Sequence, residues 1–283
     1  MREFFSAWSF DLFIVVNLIV MPVLYMWGVR RVRKMSPQRG WPAGATWAFM
    51  CGWACLCIAY LGPLAAWSHT FFWVHMTQHL IVMMAAAPLL VLGLPVTLWV
   101  RASSPRARRA YVLPIMRSRG VRFFTDPIVT WILFASVLIF THFTPFFDWA
   151  LRNHDADVFV EKPLFLIASF LFYLPMIGNN MLPRQIAPSH RLASMSIMMV
   201  PEAVVGAVIY FSPVVLYSVF AEAQRTFGPD PKADQQLAGA LMWALVMVIE
   251  AGWMMLIAVE WFTSEERKAR KLDEEHSPDI VVS

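Results

Sequence analysis

The chain has 283 residues, of which 59% are hydrophobic and only 15% charged, and a formal net charge of +4. Soluble domains carry about a quarter charged residues, so this composition excludes a soluble fold and predicts an all-α, polytopic membrane protein. The basic residues gather in particular loops, which makes the positive charge a topology signal and not a nucleic-acid footprint.

Seven apolar runs reach or approach the ~20 residues that a membrane-crossing helix needs. They cover residues 10–29, 46–67, 71–100, 127–147, 163–182, 193–220 and 238–262. Arg2, Glu3 and a first run too long for a signal h-region predict no cleaved leader. Cys51, Cys55 and Cys57 fall inside the second run and read as small packing residues, not as a disulfide framework. Pro88 and Pro95 interrupt the third run, and Pro201 and Pro213 the sixth. Proline is tolerated there when neighbouring helices re-satisfy the freed carbonyls. The long third and sixth runs are expected to tilt, kink or project beyond the bilayer. The tryptophans, including Trp67, Trp73, Trp149 and Trp261, mostly sit near run ends and read as interface anchors.

Arginine and lysine set the expected orientation. Arg30, Arg31, Arg33, Lys34 and Arg39 follow the first run, and Arg101, Arg106, Arg108, Arg109, Arg117, Arg119 and Arg122 follow the third. Arg184 and Arg191 follow the fifth, and Arg267, Lys268, Arg270 and Lys271 the seventh. Only Arg2, Arg152, Lys162, Arg225 and Lys232 lie on the other side. The positive-inside rule then puts the amino terminus outside and the carboxyl terminus in the cytoplasm. Residues 1–263 form the seven-helix domain, and residues 264–283 a charged cytoplasmic tail, helical at first and then disordered. The inner loop from 101 to 122 is basic enough to favour anionic headgroups of the lipid bilayer.

This orientation gathers five of the seven histidines at the outer face: His69, His75, His79, His142 and His154. His75 and His79 are one helical turn apart, about 6 Å along the axis, and share a face. An ionisable residue at that depth is functional by default, and imidazole is a common metal ligand. His142 offers a third imidazole from another helix, which matters because one helix cannot surround an ion. Met76 and Met242 are the candidate thioether ligands, and Met83, Met198 and Met199 also lie within runs. Imidazole and thioether without thiolate suit copper better than calcium, magnesium or manganese, and zinc fits if a carboxylate joins. His69 and His154 read equally as ligands or as surface residues. Glu202 and Glu250, deep within runs, read as an ion or proton path or as buried structural acids. No nucleotide loop, Ser/His/Asp constellation or Cys-x-x-Cys is present.

The third run carries His75-Met76-Thr77-Gln78-His79, followed by Ala87-Pro88-Leu89-Leu90-Val91-Leu92-Gly93-Leu94-Pro95. His142, Pro145 and Phe147 end the fourth run, and Asp234-Gln235-Gln236-Leu237-Ala238-Gly239-Ala240-Leu241-Met242-Trp243 opens the seventh. Together these blocks resemble the CtaG-type membrane proteins associated with cytochrome c oxidase assembly. The resemblance implies a bacterial inner-membrane protein without catalytic turnover. It would help deliver copper to a subunit of a haem-copper oxidase. The family's second His-x-x-x-His-like pair aligns with Val158 and Lys162, so this chain departs from the pattern there.

The expected metal ligands are thus His75, His79, His142, Met76 and Met242, holding copper loosely enough for ligand exchange with a partner. The rivals are a copper or other solute permease using Glu202 and Glu250, and haem held between two helices by His79 and His142. A homo-oligomer is compatible with the sequence. Imidazole must be neutral to bind a metal, so occupancy is expected to fall as pH drops through the ordinary histidine range near about 6.5.

Overall fold

The computed structural model describes residues 2–178, 181–182 and 186–276, so Arg184 and residues 277–283 lie outside the described residues. Among these all regular secondary structure is helical, with no strand. Six helices are long and apolar enough to cross a membrane. They are α1 (Leu12–Met35), α2 (Ala43–Trp67), α3 (Phe72–Ala102), α5 (His154–Ile177), α6 (Pro188–Phe211) and α7 (Pro231–Asp273). A seventh, α4 (Pro127–Phe143), joins them if it is counted with the short helix Phe146–Arg152, from which it is bent by 74°. The bend corrects the expected straight run 127–147. Thr144 precedes Pro145 and adopts extended backbone, which ends the helix at Phe143, one residue after His142.

Two more boundaries differ from the sequence reading. The sixth run stops at Phe211, because Ser212 precedes Pro213 and cannot stay helical; Ser218–Glu222 is a separate turn of helix. The fifth helix starts at His154 and not at Pro163. Asn153 caps it, its side chain accepting from the Asp155 and Ala156 amides, and a π turn at Asp157–Glu161 absorbs the missing N–H of Pro163. Asp155, Asp157 and Glu161 therefore belong to a helix, not a loop.

Helix α3 is the centre of the bundle. Of its most apolar stretch 61% is buried, against 22% for α1 and for α7. It packs on α2 and α5, and its end packs on α1. The approach to α2 is close because Gly52 lies there: a Cβ at that position would stand 2.9 Å from both the Ala86 carbonyl oxygen and the Leu90 amide.

Two of the prolines inside the helices are answered by tryptophans. Pro22 leaves the Leu18 carbonyl without its helical partner, and Trp53 Nε1 of α2 donates to it at 2.7 Å. Pro88 likewise frees the Met84 carbonyl, within a π segment at Ile81–Ala86, and Trp253 Nε1 of α7 donates to it at 2.8 Å. At Pro95 the helix breaks: Leu94 adopts left-handed backbone at φ 55°, and the Gly93 carbonyl accepts from the Tyr25 hydroxyl at 2.7 Å. Pro22, Pro88 and Pro95 thus each bind α1 or α3 to a neighbour through a polar contact within an apolar bundle.

Candidate metal centre

The site begins with how α3 starts. Phe71 has no side-chain oxygen to cap the helix, so the first amides need an outside acceptor. Asp234 of α7 supplies it, its two oxygens accepting from the Phe72 and Trp73 amides, both at 2.9 Å. Arg225 Nη2 lies 2.9 Å from the same fully buried carboxylate. The neighbouring Gln235 closes the loop behind it, donating to the Ile209 and Val214 carbonyls and accepting from the Leu216 amide. The first turn of α3 is thereby fixed from the far end of the sequence, and His75 and His79 follow on its next two turns.

The two imidazoles converge on Glu161. His75 Nε2 and His79 Nε2 are 2.5 Å apart, and each is 3.1 Å from Glu161 Oε1. All three side chains are buried, and their ligand atoms lie within 4.8 Å of one another. Two nitrogen lone pairs cannot face each other at such a separation without a proton or a cation between them. Glu161 Oε2 has no hydrogen-bond partner. Phe147 stands edge-on to His75 at 5.0 Å between ring centres, and Phe165 lies 4.2 Å from His79. These rings keep the cluster in an apolar shell, where an uncompensated carboxylate is costly.

His142 comes to the rim of this cluster from α4. Its Nδ1 donates to the Leu138 carbonyl at 2.8 Å, which leaves the lone pair of the neutral ring on Nε2. That Nε2 is buried and has no partner. Its ring centre is 5.7 Å from Phe147 and 6.4 Å from Phe165, so it shares both aromatic neighbours of the His75–His79 pair. The Tyr217 hydroxyl donates to the His142 carbonyl at 3.1 Å, and burial pushes this phenol above its ordinary range, keeping it a donor.

Among the residues expected from sequence, the structure brings His75 and His79 together and sets His142 beside them. Met76 and Met242 are buried in an adjoining apolar cluster with Phe72, Phe147, Val205 and Tyr217. Glu161 is the residue that sequence reasoning missed as a ligand. The available signal was its position four residues after Asp157, just before Pro163, as part of a continuing helix.

His69 and His154 build a second, more open polar cluster. His69 Nε2 is 3.2 Å from Asp157 Oδ2 and its Nδ1 3.3 Å from the Leu151 carbonyl. Lys162 forms an ion pair with Asp157, and His154 Nε2 lies 3.1 Å from Asp11 Oδ2. With Tyr60 they line a cavity of about 320 Å³. Val158 is buried and Lys162 contributes an ammonium, so neither of these two positions offers a metal ligand.

Comparison with known proteins gives a family. The family model described as cytochrome c oxidase caa3 assembly factor (Caa3_CtaG) matches residues 23–264. An uncharacterized protein of Mycobacterium leprae (strain TN) is 27% identical over 278 residues, covering 96% of this chain and 42% of that protein. Uncharacterized proteins of Mycobacterium bovis and Mycobacterium tuberculosis are each 27% identical over 283 residues, covering 98% of this chain and 42% of theirs. The chain thus spans less than half the length of these curated relatives. No solved structure matches it.

Proposed function

The chain belongs to the cytochrome c oxidase caa3 assembly factor family, and from that premise we propose that it binds copper at the outer face of a bacterial inner membrane and passes it to a haem-copper oxidase subunit. The observation that carries this reading is the convergence of His75, His79 and Glu161, with the free Nε2 of His142 beside them. Two imidazoles and one carboxylate form a borderline donor set that suits copper(II) or zinc. Copper is the ion that a haem-copper oxidase needs, and it is therefore the cargo we assign.

The donor set also suits transfer. A buried carboxylate between two imidazoles is stabilised by a cation, yet three first ligands leave room for a fourth from His142 or from a partner protein. Stepwise replacement of His75, His79 and Glu161 by donors of the partner, begun at that fourth position, would move the ion by ligand exchange alone, in keeping with an assembly factor. The haem reading is less well supported, because Phe147 and Phe165 occupy the space around the imidazoles that a macrocycle would need.

Metal analysis of the purified protein tests the proposal. Wild type is expected to hold copper, and His79→Ala and Glu161→Gln are expected to lose at least tenfold in affinity, as removal of a ligand costs more than the 10–100-fold typical of outer-shell partners. Cells carrying either variant should show reduced oxidase activity at normal levels of the variant protein. Full copper content and full oxidase activity in His79→Ala would place the cargo elsewhere.

A further inference from the structure

Helices α6 and α7 pack almost backbone to backbone, since a Cβ at Gly239 would stand 2.6 Å from the Tyr210 amide and 2.9 Å from the Gly206 carbonyl oxygen. One turn before Gly206 in sequence, Glu202 projects into the same interface, and Glu250 of α7 faces it. Glu202 is 1% exposed and Glu250 0%. No other residue hydrogen-bonds to any of their four carboxylate oxygens, and the two carboxyls stand within hydrogen-bond reach of each other.

The surroundings of this pair are rich in sulfur. Met84, Met195 and Met198 are all buried and belong to the apolar cluster that also contains Tyr173 and Trp253. Met195 and Met198 lie two turns and one turn before Glu202 and share its helix face. Met84 is held at this level twice. Its carbonyl accepts from Trp253, three residues after Glu250, and its sulfur accepts from the Tyr173 hydroxyl at 3.2 Å. Tyr173 is an electrostatic neighbour of both carboxylates.

Two carboxyls held against each other deep in an apolar bundle cannot both be ionised without positive charge between them. A proton would supply charge and leave the Met195 and Met198 thioethers idle. A soft monovalent cation uses both features, because carboxylate gives charge and thioether gives matching donors. We propose that Glu202 and Glu250, with the thioethers of Met84, Met195 and Met198, form an intramembrane site for a soft monovalent cation of the cuprous class. One ionised and one protonated carboxyl would leave the occupied site neutral. This site is separate in residues and donor type from the histidine centre, and its existence does not depend on that reading.

Silver(I), a redox-silent soft cation, is the probe. Purified full-length protein in detergent would be loaded, dialysed and analysed for silver by mass spectrometry. The Glu202→Gln/Glu250→Gln variant should lose about one equivalent per chain, and His75→Ala/His79→Ala should keep that equivalent. Met198→Leu, which conserves volume, should weaken retention at limiting silver by several-fold and guards against a double variant that fails to fold. Unchanged silver in both the glutamine variant and Met198→Leu would overturn the site. So would a loss confined to the histidine variant, which would speak for the outer centre alone. A protonated-carboxyl infrared band that disappears in the glutamine variant while silver stays constant would mean that the pair holds only a proton, and would overturn it too.

Discussion

At the residue scale, His75 and His79 were legible because i,i+4 spacing in an apolar run fixes a shared face without any knowledge of neighbours. Their third partner was hidden by a proline. Pro163 reads as the first residue of a helix, a position that proline favours, so Glu161 falls in the preceding loop. The π turn at Asp157–Glu161 instead carries the helix through and turns Glu161 toward α3. Asp234 was visible only as part of a motif, since a cap that acts on Phe72 and Trp73 from another helix leaves no local pattern. Its weight can be measured. Asp234→Ala would strip two helix-start amides and leave Arg225, whose side chain is 9% exposed, without its carboxylate. A loss of about 3–5 kcal/mol is expected for breaking such a buried pair, read as a lower unfolding midpoint in detergent, with metal content falling in parallel. Asp234→Asn keeps one acceptor and should lose less; equal stability of the alanine variant and wild type would remove the cap from the account.

At the element scale, most apolar stretches followed from composition, because about 20 apolar residues have few alternatives to a bilayer-crossing helix; six of the seven expected runs are long helices, and the fourth joins them only with its bent partner. The breaks did not follow as readily. Each depends on whether a neighbour can satisfy the carbonyl that a proline frees, and the sequence does not say which neighbour that is. Trp53 and Trp253 turn out to be those neighbours, in contrast to the tryptophans at the helix ends. Trp253→Phe should cost about 1–3 kcal/mol by leaving the Met84 carbonyl unpaired. Combining it with Pro88→Ala, which returns a local N–H to that carbonyl, should recover part of the loss. Denaturant unfolding in mixed micelles of the single and double variants gives the coupling directly; strictly additive losses would show that the indole acts only by packing.

At the scale of the whole molecule, the asymmetry of basic residues is the basis of the expected orientation. The starts of α3, α5 and α7 and the end of α4 meet around the histidines at one end of the bundle, and Arg101 reaches the Gly40 carbonyl at the other. A reporter fused after Arg119 is expected in the cytoplasm, and a cysteine placed at the exposed Asp155 is expected to label from outside. The opposite result at either position would invert the sidedness assigned to the metal centre. Neutralising Arg106, Arg108 and Arg109 together should leave the copper content of correctly inserted protein unchanged, since these side chains lie at the far end. The cap that Asp234 places on α3 also has a bearing on time. During synthesis α3 emerges long before α7, so for most of translation its first turn lacks the carboxylate that closes it, and until α5 follows, His75 and His79 have no Glu161 to meet. The candidate metal centre is thus assembled late in insertion: a nascent chain halted before α5 would hold both histidines without the carboxylate they meet, and one halted before α7 would hold all three side chains without the cap that fixes the first turn of α3.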